Sequence, residues 1–166
     1  INGMAENTTV NFNGGVDVDT TAFTMKGVKN LDVNFATDNA VDMAFGKLTL
    51  SNTENLHITV TDNAVSNSIS VNDLNVTNLS SLTLTDLDAD DSATIILNGT
   101  LAANSLLNFS EFGGSVILKD NAGAATVSLA STHGNVITLK SDNAANTIMY
   151  AAAGNGGDTV ANFEVT

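Results

Sequence analysis

The chain has 166 residues, 43% of them hydrophobic, and a formal net charge of −13 at pH 7. Five Lys and no Arg stand against 18 acidic residues, which excludes a nucleic-acid-binding protein that depends on cationic contacts to phosphate, and no apolar run approaches the roughly 18 residues that cross a bilayer. The absence of Cys excludes a disulfide scaffold, a thiolate metal site and a Cys nucleophile.

Short segments of alternating apolar and polar residues run through the whole chain, and this period of two predicts β-strands. In chain order the predicted strands are residues 23–25, 31–35, 41–43, 48–50, 56–60, 69–71, 74–76, 82–84, 94–97, 107–109, 116–118, 126–129, 136–139 and 147–149. Corners rich in Asn, Ser, Thr and Asp separate them, and these residue types favour turns. The segment with the weakest alternation, residues 100–106, is predicted to form a single helical turn.

The tripeptide Asp-Asn-Ala recurs at residues 38–40, 62–64, 120–122 and 142–144, each time after one of these strands. Such a turn signal at a recurrent spacing predicts a repeat with a period of about 22–29 residues, with three strands and three corners in each period. We therefore predict an all-β fold, a parallel β-helix (β-solenoid) of about five coils, with a β-sandwich as the alternative. The absence of Pro agrees with coils whose backbone N–H groups all bond to a neighbouring coil.

A glycine-rich motif near the end of the chain carries the clearest chemistry. Residues 153–161 match the nonapeptide G-G-x-G-x-D-x-U-x except at its first position, where Ala153 replaces Gly. The motif predicts a partial calcium site, in which Asp158 supplies the charge and Gly154, Asn155 and Gly156 supply carbonyl oxygens. The alternative is a turn without a metal.

A second acidic group consists of Asp86, Asp88, Asp90 and Asp91. Alternate carboxylates resemble the start of an oxygen-rich calcium loop, although no glycine turn or distal Glu completes an EF-hand pattern. This group is a second candidate calcium site, and a solvated acidic corner is the alternative.

The glycine-rich motif, followed by Phe163, resembles the repeat of the calcium-dependent, type I-secreted repeats-in-toxin (RTX) proteins. Residues 28–33 and 53–58 resemble a "v-E-n-L-x-I" step of the solenoids found in the surface-layer (S-layer) proteins of Gram-negative bacteria. The Cys-free composition, rich in Thr, Asn, Ala and Asp, agrees with that group across the whole chain. The chain departs from the family pattern because it has one good nonapeptide rather than a tandem array.

This resemblance implies a structural segment of an extracellular protein on the bacterial cell surface, which self-assembles into a lattice and requires Ca²⁺ as its cofactor. We expect one solenoid domain over residues 1–166, with residues 151–166 beginning a glycine-rich repeat, and we expect the chain to be a fragment of a larger protein. The expected partners are other copies or the rest of the parent protein, and surface lipopolysaccharide. The alternative function is a binding segment of an RTX adhesin or toxin that recognises a glycan or lipopolysaccharide.

The inventory of catalytic side chains argues against an enzyme. His57 is predicted at an outward strand position between Leu56 and Ile58, and His133 precedes Gly134 in a turn. Neither His lies near a nucleophile motif such as G-x-S-x-G. We therefore predict no catalytic residues.

Overall fold

The computed structural model of the chain describes residues 4–13, 17–37, 42–62, 68–87, 93–112, 115–118, 125–129, 136–138, 146–150, 159–161 and 163. The strands are β1 (Asn7–Asn13), β2 (Asp17–Lys26), β3 (Asn30–Thr37), β4 (Met43–Ser51), β5 (Asn55–Asp62), β6 (Ile69–Asp86), β7 (Thr94–Glu111), β8 (Ser115–Leu118), β9 (Ala125–Leu129), β10 (Val136–Thr138), β11 (Thr147–Tyr150) and β12 (Thr159–Ala161). None of the described residues forms a helix, and the described part accordingly holds no helix long and apolar enough to span a membrane.

The strands form a β-solenoid, because each one pairs in parallel with a strand one coil earlier or later. The first side of the coil consists of β1, β3, β5, residues 81–86 of β6, residues 105–111 of β7, β9 and β11. The second side consists of β2, β4, residues 69–76 of β6, residues 94–99 of β7 and β8, with the pair β10 and β12 next to β8. The predicted fold class is confirmed, and the parallel pairing excludes the β-sandwich alternative for these strands.

The coil length follows from the paired positions on the first side. Asn7 pairs with Asn30 and Asn30 with Asn55, which gives sequence separations of 23 and 25. The later pairs, Leu107 with Val127 and Val127 with Ile148, lie closer together in the sequence. On the first side these coils are therefore shorter than the predicted 22–29 residues, whereas Val136 and Thr159, paired between β10 and β12, are 23 positions apart.

The prediction of three separate strands in each period was wrong for β4, β6 and β7, because in each of them the chain passes from the predicted third strand into the next predicted strand without leaving the sheet. In the later coils the predicted strands are separate, as β8, β9 and β10 show. In β4, Phe45 and Leu48 are both buried although they are three positions apart, and the same holds for Val71 and Leu74 in β6. The alternation of inward and outward side chains therefore slips by one position within each strand. Such a slip bends the strand while the pairing on both sides of it continues, as β4 and β6 show.

The Asp-Asn-Ala tripeptides do not mark one fixed phase of the coil, as the repeat analysis assumed. Apart from Asp62 they lie outside the described residues, but the strands before them are described. Residues 38–40 and 62–64 follow β3 and β5 on the first side, whereas residues 120–122 and 142–144 follow β8 and β10, which belong to the second side. The physical reason is that the turn preference of Asp and Asn comes from local hydrogen bonds to the backbone, so the same tripeptide can follow a strand on either side.

The helical turn predicted at residues 100–106 was also wrong, since these residues belong to strand β7. Leu79 of β6 pairs with Leu101, and Ser81 pairs with Leu106, so a longer stretch of β7 lies opposite the single Ser80. The extra residues widen a corner of the solenoid rather than forming a helix. Ser105 and Leu107 are buried on either side of exposed Leu106, which is the alternation of a strand.

The corners that lead from the second side to the first have left-handed backbone conformations. The residues concerned are Gly27, Asn52, Asn78 and Asn104, with φ of 81°, 66°, 58° and 60°. Gly and Asn are the residues that tolerate this conformation best, which explains their recurrence at these corners. Backbone bonds tie successive corners together: the N–H groups of Glu54 and Asn55 both donate to the carbonyl oxygen of Lys29, at 2.9 and 3.0 Å.

The core consists of columns of apolar side chains stacked from coil to coil. One column contains five residues that are at most 2% exposed, namely Leu31, Leu56, Leu82, Leu107 and Val127. Four aromatic rings, those of Phe12, Phe23, Phe35 and Phe45, pack together with centroid separations of 4.6 to 5.5 Å. Burial of one such side chain stabilises the fold by roughly 1.5–3 kcal/mol.

A pair of glycine substitutions tests the packing of the corners. Gly99 has φ of 103°, and a Cβ added there would overlap the carbonyl oxygen of Val76 in the neighbouring coil. Gly27 has φ of 81°, but a Cβ there would meet no atom within 4 Å. We expect Gly27→Ala to cost about 1–2 kcal/mol of unfolding free energy through backbone strain alone. Gly99→Ala should cost more than about 4 kcal/mol, because the coils must also separate. Urea unfolding measures both values, and equal losses in the two variants would contradict the close approach at Gly99.

Candidate functional site: the outer face of the first side

The residues predicted to bind calcium lie mostly outside the described part of the chain. Gly154, Asn155, Gly156 and Asp158 are among them, and so are Asp88, Asp90 and Asp91. Two flanking segments are described. Thr159, Val160 and Ala161 form β12, and half-buried Val160 packs against the core, as the apolar position of the nonapeptide requires.

Asp86 is the one described member of the acidic group, and it is the half-buried last residue of β6. Its neighbour Leu87 donates its backbone N–H to the carbonyl oxygen of Val60 at 3.0 Å, which holds the start of this corner against the preceding coil. The described residues contain no group of three or more His, Asp and Glu side chains placed to hold a metal ion. The calcium sites therefore stay predictions.

The outer face of the first side carries stacked amide side chains. Asn30 donates its Nδ2 to Oδ1 of Asn7 at 2.6 Å, and Asn55 donates to Oδ1 of Asn30 at 2.7 Å. A second amide pair lies along the same strands, where Asn34 donates to Oδ1 of Asn11 at 2.7 Å. These pairs form because strand pairing places Asn beside Asn in neighbouring coils.

Charged side chains follow the same stacking rule at the corners. Nζ of Lys29 lies 4.0 Å from a carboxylate oxygen of Glu6 and 3.3 Å from one of Glu54, so the sign of the charge alternates from coil to coil. On the second side, Nζ of Lys47 lies 2.9 Å from Asp73, whose other carboxylate oxygen accepts from Nδ2 of Asn98 at 2.6 Å. Since these groups are partly exposed, each pair contributes at most about 1 kcal/mol, and their main effect is to favour one register.

A titratable cluster occupies the middle of the outer face, on three neighbouring strands. Nδ1 of His57 in β5 lies 3.5 Å from Oδ1 of Asp32 in β3, and Nε2 lies 3.1 Å from the hydroxyl of Thr85 in β6. The other carboxylate oxygen of Asp32 lies 3.5 Å from the hydroxyl of Thr9 in β1. The side chains of His57 and Asp32 are 43% and 55% exposed, so solutes reach both of them.

The sequence predicted one member of this cluster. The outward orientation expected for His57 is confirmed, because Leu56 and Ile58 on either side are buried while His57 is not. The roles of Asp32 and Thr85 were missed, since one lies a full coil before His57 in the sequence and the other a full coil after it. Alignment of residues 30–37 with residues 55–62, which are one coil apart, would have placed Asp32 beside His57.

Comparisons of the chain with protein-family models, with curated proteins and with solved structures found no match. The functional argument therefore rests on the described surfaces and on the chemistry of the sequence.

The amide pairs provide a test of how the outer face stabilises the stack. Asn30→Ala removes two side-chain hydrogen bonds, to Asn7 and Asn55, whereas Asn34→Ala removes the bond to Asn11. Because each exposed bond contributes about 0.5–1 kcal/mol, we expect Asn30→Ala to lower the free energy of unfolding by about 1–2 kcal/mol and Asn34→Ala by about half of that. Chemical denaturation of the two variants measures the difference. A loss at Asn34 as large as that at Asn30 would show that the amide bonds are not what stabilises this face.

Proposed function

We propose that this chain is a structural segment of an extracellular, calcium-dependent surface-layer protein that self-assembles into a lattice on the bacterial cell surface. The observation that carries the proposal is the unbroken stack of parallel coils, whose first side alone contains seven strands in succession. A stack of this kind is a rigid rod segment with flat faces, and such a shape suits a protein that tiles or spaces an array. The family resemblance of the glycine-rich motif and the "v-E-n-L-x-I" steps supports the same assignment.

The edges of the described stack support association along its axis. Among the described strands, β1 pairs with β3 alone and β2 pairs with β4 alone. At the other end, β11 pairs with β9 and β12 pairs with β10. A strand at the edge of a sheet offers backbone donors and acceptors to a further strand, and the described strands at both ends of the stack run in the same direction. A further coil can therefore add to either end in the same parallel register.

The charge of the chain provides a role for calcium. At a net charge of −13, copies of this chain repel one another at close approach, and divalent cations bound between acidic corners reduce that repulsion. The proposed ligands are Asp158 with the glycine-rich turn around it, and the acidic group that begins at Asp86. Calcium suits both groups, because it prefers carboxylate and carbonyl oxygens.

The adhesin alternative receives less support from the described surface. Recognition of a glycan usually involves stacking of sugar rings on aromatic side chains, whose flat faces are apolar and whose edges are polar. The described side chains that are large, apolar and exposed are Leu87, Leu106, Met149 and Phe163, and of these Phe163 alone has an aromatic ring. Apart from Leu106 and Met149, the described outer face of the first side presents mainly polar side chains.

Sedimentation velocity of the chain in millimolar calcium and in excess chelator tests the proposal. We expect larger species in calcium and smaller ones in chelator. Asp158→Ala should raise the calcium concentration at the midpoint of assembly by about tenfold, because the number of ligand charges sets calcium affinity. Replacement of Asp86, Asp88, Asp90 and Asp91 by Asn tests the second group in the same way.

A charge-matched control is Glu54→Gln, which removes one negative charge at an exposed corner outside the proposed ligands. This variant should assemble at the same calcium concentration as the natural chain. An identical sedimentation coefficient with calcium and with chelator would contradict the role of calcium in assembly. In that case the chain would be a segment that separates other parts of a protein and does not respond to calcium.

A further inference from the structure

His57 faces a carboxylate in a geometry that a hydrogen bond alone explains poorly. The separation of 3.5 Å between its Nδ1 and Oδ1 of Asp32 exceeds the roughly 2.7–3.2 Å that N–H···O bonds span. On the other edge of the ring, Nε2 and the hydroxyl of Thr85 are 3.1 Å apart, which is within hydrogen-bond range. Which ring nitrogen carries the proton depends on the tautomer; in the tautomer in which Nε2–H donates to that hydroxyl, Nδ1 carries a lone pair and the facing carboxylate oxygen only accepts, so a cation can bind between the two atoms.

The separation fits a metal ion bound by both groups. A zinc ion lies about 2.0–2.1 Å from an imidazole nitrogen and about 2.0–2.2 Å from a carboxylate oxygen, so two ligands in tetrahedral geometry are about 3.4 Å apart. The atoms of His57 and Asp32 are 3.5 Å apart in the described structure. The bond from Nε2 to Thr85 corresponds to the outer hydrogen bond that fixes the ring of a metal-bound histidine.

The backbone holds these ligands in place before any ion arrives. Asp32 and His57 are paired residues of β3 and β5, and each lies between two buried neighbours that anchor its strand to the core. The hydroxyl of Thr9 lies 3.5 Å from the second carboxylate oxygen of Asp32, on the strand beyond it. Ligands on rigid, paired strands lose little conformational entropy on binding, which favours a site even with few ligands.

We propose that His57 Nδ1 and the Asp32 carboxylate form a binding site for a borderline divalent transition-metal ion such as Zn²⁺, with Thr85 as the positioning partner of the imidazole. Two protein ligands leave the remaining coordination positions to water or to a donor from another molecule. Imidazole nitrogen suits Zn²⁺, Ni²⁺ and Cu²⁺, whereas calcium takes oxygen ligands. This site therefore differs in chemistry from the proposed calcium sites, and it does not rest on the proposed function.

The composition of the chain allows a clean test. The sequence has no Cys and two His, so transition-metal binding through imidazole or thiolate involves His57, His133 or both. The first measurement is an NMR titration of the natural chain with Zn²⁺, in which the imidazole signals of the two histidines are followed separately. We expect the His57 signals to shift and to saturate at micromolar zinc, and we expect millimolar calcium to leave them unchanged.

Variants then assign the ligands. His57→Gln and Asp32→Asn should each weaken zinc binding at least tenfold in calorimetric titrations, and Thr85→Val should weaken it less because it removes only the positioning hydrogen bond. His133→Gln is the matched control, since it removes the other imidazole, and it should bind zinc as the natural chain does. Thermal unfolding of each variant checks that the fold persists.

Two results would overturn the proposal. If zinc leaves the His57 signals unchanged while it binds elsewhere, the contact between Asp32 and His57 is an ion pair only. If His133→Gln rather than His57→Gln removes the high-affinity binding, the nitrogen ligand lies elsewhere in the chain. The NMR titration needs no substitution, so the first of these results is decisive even if a variant fails to fold.

Discussion

The constraint on which this structure depends is in-register parallel stacking of the coils. Neighbouring strands in such a sheet lie about 4.8 Å apart, so each side chain contacts the side chain at the equivalent position of the coils above and below. Apolar residues over apolar residues produce the buried column from Leu31 to Val127, and amides over amides produce the pairs of Asn7, Asn30 and Asn55. The alternating charges of Glu6, Lys29 and Glu54 follow from the same constraint, because like charges would repel at that spacing.

The corners show how the stack tolerates variation. A left-handed residue turns the chain sharply at Gly27, Asn52 and Asn78, and the backbone of each corner then bonds to the corner before it. Between Leu101 and Leu106, β7 has more residues than β6 has between the paired positions Leu79 and Ser81. These extra residues widen the corner, and the strand segments before and after it keep their pairing. At Gly99, just before these residues, only a residue without a side chain fits beside the carbonyl oxygen of Val76.

Much of the fold was predictable from the sequence, because the period of two within strands and the recurrence of turn residues are local signals. The strands around Leu31, Leu56 and Leu82 and the outward orientation of His57 are examples. Local signals do not state which side of the coil a turn closes, which is why the Asp-Asn-Ala tripeptides suggested a constant phase. The cluster of Asp32, His57 and Thr85 was not predictable for a related reason: its members meet only once the coil offsets of three strands are known.

The geometry of the solenoid also separates the two kinds of cation chemistry proposed for this chain. A flat face of parallel strands presents side chains in a plane, so it offers an ion two or three ligands from one direction. Calcium takes six to eight oxygen ligands, so two or three side chains on such a face would leave most of its coordination positions to water. A four-coordinate ion has fewer positions to fill, and in the proposed site Asp32 and His57 supply two of the four. The proposed calcium ligands adjoin strand ends in the sequence instead: residues 154–158 precede β12, and Asp86 is the last residue of β6.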